Sequence, residues 1–321
     1  MALSVNQRRY GMKIGLIGAG AVGRACLMSL AYAGGAREIV LVNRNHQRAQ
    51  GMVADIQYGA TLLPAVHVRA GHYEDLDQCR LVIVTVGVNE KTGGATDRSD
   101  DAGRLRLLDD NAKIYQDIIP KINAAAPGAI ILVVTDPPDP LAEVAREYSN
   151  GAHVISSGTL LDSQRMRFHI ARHAGVHPAS VEAMVLGEHG TSQVFIWSGV
   201  RIGGVPLARV LDVNEKDCDA FQKKIEEEVR FANISIIEGT GASQLGIGMV
   251  TAHISRTILN DERQVVPIGS YIEAYETTLS LPSLLGKEGV LETYMPALSA
   301  REEDALAASA KVIRQAWEGV A

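Results

Sequence analysis

Five short apolar runs separated by helix-length stretches constrain this chain more than any other feature. Lys13–Ile17, Glu38–Val42, Val66–Ala70, Leu81–Val86 and Ala129–Val134 are closed by nearby Gly, Asn or Pro, and their unbroken apolarity marks strands buried on both faces. The stretches between them, such as Ala21–Ala33 and Leu105–Ala126, then read as crossover helices. Because such crossovers are right-handed, the first half becomes a doubly wound parallel α/β sheet whose ligand crevice lies beyond the carboxyl ends of its strands. The rhythm is lost near residues 150–160. After it come long helical patterns at roughly Leu160–Ala174, Glu215–Glu238, Gly246–Leu259 and Arg301–Glu318, with short strands between. A length of 321 residues with 46% apolar composition exceeds what one core usually organises. The expectation is a doubly wound domain over 1–155 and an α+β domain over 156–321. Asn89–Gly103, with its Gly, Asp and Ser, has no apolar period, and a mobile lid over about 88–104 is expected.

Bulk properties remove several function classes. The 31 basic residues are interspersed with 37 acidic ones and form no long run that could displace counterions from a phosphate backbone, so nucleic acid is an unfavoured partner. Cys26, Cys79 and Cys218 are odd in number and widely spaced, against a disulfide framework or thiolate metal cage, and no metal is expected. The start carries Arg8 and Arg9 but no apolar segment of signal-peptide length, and no run spans a bilayer. A cytoplasmic protein with neither membrane nor nucleic-acid partner is expected.

Gly18-Ala19-Gly20-Ala21-Val22-Gly23 follows the first strand and opens a helix. Its glycines permit the tight turn and let backbone amides approach a pyrophosphate, so a dinucleotide is the expected ligand. An acidic residue normally meets the adenosine ribose about 20 residues further on. Here stand Asn43, Arg44 and, one turn later, Arg48. Without the anion that repels a 2′-phosphate, NADP is favoured, with NAD as the alternative.

Together with the glycine loop, Gly187-Glu188-His189-Gly190 and Asp162-Ser163-Gln164-Arg165 give a chain that resembles the L-lactate/malate dehydrogenases along almost its whole length. The resemblance implies hydride transfer between NAD(P)H and a small 2-oxo or 2-hydroxy acid. It also implies a proton relay through His189 held by Asp162, a grip on the substrate carboxylate by Arg165, and a lid arginine that polarises the carbonyl. Arg104 matches that lid arginine through its spacing to Asn111, and Arg98, in Thr96-Asp97-Arg98, is the competitor. Gly87 opens the lid beside the cofactor. The family is commonly dimeric or tetrameric, so a homo-oligomer is expected.

Several positions depart from the pattern. The lid is several residues longer than usual. Glu90 occupies the position that faces the variable end of the substrate, Gln for lactate and Arg for malate, and two anions about 5 Å apart at an effective dielectric near 20 repel by roughly 3 kcal/mol, against a dicarboxylate. Asp136, in Thr135-Asp136-Pro137-Pro138-Asp139, replaces an asparagine that donates a hydrogen bond beside the nicotinamide, which an ionised carboxylate cannot do. Either it is protonated or it prefers a cationic group. Ser243, a small polar pocket residue, permits a side chain larger than methyl. These residues point to a substrate with a polar or cationic far end; imine reduction and a non-catalytic dinucleotide-binding role are the alternatives. Glu182 replaces the histidine of fructose-bisphosphate-regulated relatives, so although Arg167 matches, that control is not expected. Nothing explains Thr191 in place of the usual aspartate.

Overall fold

The computed structural model describes residues 12–100, 102–211 and 215–320, without the side chains of 215–217. Arg8 and Arg9, and Asp101 of the lid, lie outside the described residues. Strands β1 (Lys13–Ile17), β2 (Glu38–Val42), β3 (His67–Gly71), β4 (Leu81–Val84), β5 (Ile130–Val133) and β6 (Val154–Ser156) are parallel in the spatial order β3-β2-β1-β4-β5-β6. The order reverses between β1 and β4, and that switch point is where a crevice must open. Both strands turn there: β4 ends at Val84, two residues short of the expected strand end, and Thr85 donates from N and Oγ1 to the Ile17 carbonyl at 2.9 and 3.0 Å. Three-residue β6 is too short to have carried a period of its own.

Helices α1 (Ala21–Ala33), α2 (His46–Tyr58), α3 (Leu108–Ala125), α4 (Pro138–Tyr148) and α5 (Leu160–Ala174) follow these strands. The helix expected from Leu105 starts as a 3₁₀ turn over Gly103–Leu107 and becomes α-helical at Leu108. Then come β7 (Val181–Glu182), β8 (Val185–Leu186), β9 (Val194–Phe195), β10 (Arg201–Ile202), β11 (Val205–Pro206), α6 (Leu207–Leu211), α7 (Glu215–Arg230), α8 (Ala232–Thr240) and α9 (Leu245–Asn260). The single helix expected over Glu215–Glu238 is broken at Phe231, so α7 packs on α5 while α8 turns towards the lid. Strands β12 (Gln264–Ile272), β13 (Thr277–Gly286) and β14 (Gly289–Thr293) precede α10 (Ala300–Glu318).

The second half does not build a separate main sheet. Antiparallel β12–β14 extend the first sheet beyond β6, joined through Gly269 and Ser156, to give nine strands. One core lies where Ile14, Leu16, Ile39 and Ile83 meet α1 and α9; another lies where Val82, Val84 and Val133 meet α3 and α4. Helix α9 crosses α1 with almost no side chain between them. A Cβ on Gly248 would sit 2.8 Å from the Ala25 carbonyl carbon. Gly248→Val should therefore lower unfolding free energy by about 2 kcal/mol through overpacking. Gly239→Ala, whose Cβ would meet nothing within 4 Å, should be neutral or stabilising. Urea unfolding of the two variants checks both.

Candidate active site

At the switch point, the first glycine turn divides three requirements among three residues. Gly18 has φ +112°, and a Cβ there would crowd Thr85 Oγ1 at 2.8 Å; a Cβ on Gly23 would lie 2.1 Å from the Gly18 carbonyl oxygen. Gly20 alone opens on free space, with nothing within 4 Å of a Cβ, and the first turn of α1 that follows, Ala21 and Val22 included, holds no acid. An anion thus has access to backbone N–H groups at the positive end of α1, and a pyrophosphate fits this cradle. Asn43 braces it: Oδ1 accepts from Ala19 N at 3.1 Å, while Nδ2 donates to the Asn45 carbonyl at 2.9 Å. Arg44 and Arg48 are exposed beside it.

Beyond β4, Gly87 lets the lid leave against the next strand, since a Cβ would meet Thr135 Cγ2 at 2.4 Å. Fully buried Asn111 ties the two together, accepting from Val88 N and donating to the Asp136 carbonyl, each at 2.7 Å. The far end of the lid delivers Arg104 into the pocket. Arg98 goes elsewhere: on the surface it makes a two-pronged pair with Glu238 of α8 at 2.7 and 2.9 Å. Glu90 also faces inward, its Oε1 accepting from Asn233 Nδ2 at 2.8 Å and lying 3.4 Å from Arg104 Nε.

His189 is held from three sides. The Gly187 bridge to Ser280 fixes the chain after β8, with both backbone hydrogen bonds made at 3.0 and 3.1 Å. Buried Asp139, in the first turn of α4, accepts from His189 N at 2.7 Å and from Ser156 Oγ at 2.5 Å. Asp162 Oδ2 lies 2.5 Å from His189 Nδ1, while its Oδ1 takes Arg165 Nη1 at 3.0 Å, the two residues standing one turn apart on α5. Asp136 approaches from the opposite side, Oδ1 3.7 Å from His189 Nε2 and Oδ2 3.4 Å from Arg104 Nε. The cationic partners expected for Asp136 are thus supplied by the protein. Ser243, Val22, Leu161 and Ile247 complete a pocket of about 420 Å³, mouth included.

Burial works against charge throughout. For Asp162 burial alone would raise the pKa, yet the facing His189 and the adjacent Arg165 and Arg104 overrule it and hold the carboxyl at about 2. Burial likewise opposes a charged His189, but Asp162 prevails and raises the imidazole above its ordinary 6.5. Glu90 is raised by burial and by Asp136, with Arg104 opposing. Asp139, buried with two hydrogen bonds that only partly compensate, is pushed up to about 6.

The structure thus brings together the pocket residues that the sequence singled out. It adds Asp139 and Asn233, which the sequence reading missed. Asp139 closes the Thr135–Asp139 motif but reads there as a helix-start acid; Asn233 carries no local signal. Arg167 Nε is engaged with the Ala183 carbonyl at 3.0 Å, beside Glu182. Among the described residues, no cluster of three or more His, Cys, Asp or Glu side chains could hold a metal, and no helix is long and apolar enough to cross a membrane.

Residues 12–154 match the model of the lactate/malate dehydrogenase NAD binding domain, and 159–321 that of its alpha/beta C-terminal domain. The chain belongs to the lactate/malate dehydrogenase family. L-lactate dehydrogenase of Thermus aquaticus is 40% identical over 312 residues, covering 95% of this chain and 98% of that protein. The Deinococcus radiodurans L-lactate dehydrogenase is 38% identical, with 94% and 97% covered. A lactate dehydrogenase from a Medee basin deep-sea metagenome library superposes with a TM-score of 0.87 at 30% identity, covering 96% of this chain and 98% of that one. As a member of this family, the protein is an NAD-dependent 2-hydroxy-acid dehydrogenase acting on a CH–OH group.

The depressed Asp162 fixes a stability prediction. A carboxyl held near 2 rather than at its ordinary 3.8 contributes stability that is present above about pH 4 and lost as pH falls towards 2. This contribution is roughly 2 kcal/mol. In Asp162→Asn that part of the acid limb should be missing, so the stability gap to wild type narrows between pH 4 and pH 2, read by chemical unfolding.

Proposed function

We propose that this dehydrogenase interconverts a small 2-oxo acid and its 2-hydroxy acid. His189 is the proton donor and acceptor, Asp162 its orienting partner, Arg165 the carboxylate grip and Arg104 the lid group at the carbonyl. The observation that carries this reading is that one buried carboxylate, Asp162, holds His189 with one oxygen and Arg165 with the other. Substrate grip and proton donor thereby share a fixed relation, which orients a carbonyl adjacent to a carboxylate. When bound, the reduced nicotinamide supplies the hydride. His189 Nε2, the nitrogen not taken by Asp162, gives the proton to the carbonyl oxygen or takes it back from the alcohol. Buried Arg104 stabilises charge on that oxygen, and the lid that carries it keeps water out.

On this reading Gly18, Gly20, Ala21, Val22 and Gly23 cradle the pyrophosphate, Gly87 and Asp136 border the nicotinamide, and Asn43 and Arg44 lie at the adenosine ribose. Residues 1–155 form the dinucleotide domain and 156–321 the substrate domain of a cytoplasmic homo-oligomer, a dimer or tetramer. The substrate's far end is not a carboxylate, because Glu90 faces it; Ser243 leaves room for more than methyl. Asn43 is spent on the glycine turn, so cofactor discrimination falls to exposed Arg44 and Arg48, which favour a 2′-phosphate over a bare hydroxyl.

Two measurements test this. Arg104→Ala should lower kcat/KM for 2-oxo acid reduction by about 10²-fold or more, whereas Arg98→Ala should stay within several-fold of wild type. Equal effects of the two would remove Arg104 from the mechanism. In parallel titrations NADPH should bind more tightly than NADH, and Arg44→Ala should abolish the difference; a tighter NADH ends the NADP assignment.

A further inference from the structure

The charge balance of the pocket is unusual for a site that receives an anion. Arg104, Arg165 and protonated His189 supply three positive charges, and Asp162 alone would leave a surplus of two. Such a surplus is what a 2-oxo acid requires, since it arrives with one carboxylate and gains a second negative charge on oxygen as hydride is delivered. Glu90 and Asp136 cancel it. Both lie 3.4 Å from Arg104 Nε, and Asp136 also reaches within 3.7 Å of His189 Nε2, so they act on the two groups that face the reacting oxygen. Arg104 and His189 are each 8% exposed, so solvent does little to compensate an anion added there.

The two carboxylates are not consumed by neighbouring side-chain donors. Asn233 takes only Oε1 of Glu90, and among the described residues no hydrogen bond reaches Glu90 Oε2 or either carboxylate oxygen of Asp136. Beside them, Leu161 and Ile247 offer apolar surface to an aliphatic stem, and Ser243 a small polar contact. Two carboxylates that share one guanidinium and one imidazole at 3.4 Å or more, beside an apolar lining, can take a further cation on a hydrocarbon arm.

We infer that the substrate carries its own positive charge: a 2-oxo acid, or the matching 2-hydroxy acid, whose side chain ends in a guanidinium or ammonium seated between Glu90 and Asp136. The inference rests on the oxo-acid reductase reading above. The arriving cation restores what the two acids remove, and releases Arg104 to face the carbonyl. A neutral or anionic far end leaves both acids paired with Arg104, in competition with the substrate oxygen.

The test compares kcat/KM for 5-guanidino-2-oxopentanoate, uncharged 2-oxohexanoate, pyruvate and oxaloacetate between pH 6 and 8, with NADH and NADPH. Wild type, Glu90→Gln and Asp136→Asn are assayed; glutamine keeps an acceptor for Asn233. Wild type should favour the guanidino acid over 2-oxohexanoate by at least tenfold, with oxaloacetate lowest. Glu90→Gln should cut the guanidino rate at least tenfold and raise that of 2-oxohexanoate. Wild type preferring pyruvate or 2-oxohexanoate across the range overturns the inference. Because the wild-type ratio alone decides this, a poorly folded variant does not blunt the test. If none of the three proteins reduces any of these acids, the reductase reading fails and the inference with it. Oxo-acid turnover without the cationic preference overturns the inference alone.

Discussion

Asp162 sits between two cations in the interior, and the rest of the site is arranged around that contact. A carboxylate with two oxygens can hold two donors at a fixed angle, and burial makes each bond costly to break. Helix α5 supplies Asp162 and Arg165 one turn apart, so their pairing is local. His189 must come from another part of the chain. It is brought in by the Gly187 bridge to β13 and by the Asp139 carboxylate on its backbone. The sheet extension, the β8 turn and the start of α4 all serve this one meeting of charges.

Regular elements were legible wherever a period repeats. The runs at Lys13–Ile17 and Glu38–Val42 are strands with those bounds, and Leu160–Ala174 is a helix with those bounds, because their burial imposes a pattern several residues long. The break at Phe231 was not legible: both flanks carry compatible helical periods, and what separates them is the different packing of α7 and α8. Nor was the continuity of the sheet, since the join between β12 and β6 rests on a single residue pair.

The site was legible to the extent that motifs carry it. The glycine turn is read from its place between strand and helix, Asp162, Arg165 and His189 from motifs that resemble the family's, and the family interval to Asn111 favours Arg104 over Arg98. Asn111 turns out to be the strut that ties lid to strand. Partnerships across long sequence distance were invisible. Glu90 meets Asn233 from 143 positions away, and Asp139 meets His189 from 50. No local pattern predicts which acid finds which donor; topology decides it.

One seam in the sheet has a mechanical consequence. Gly269 and Ser156 join the two halves so closely that a Cβ on the glycine would stand 2.0 Å from the serine oxygen and 2.7 Å from Asp139. No side chain fits at position 269, so the strand beneath His189 and the sheet extension meet there at backbone distance. On the opposite edge of the site the loop is clasped to α8 twice, by Arg98 at the rim and by Glu90 inside, so parting it there breaks side-chain contacts and leaves the backbone pairing of the sheet intact.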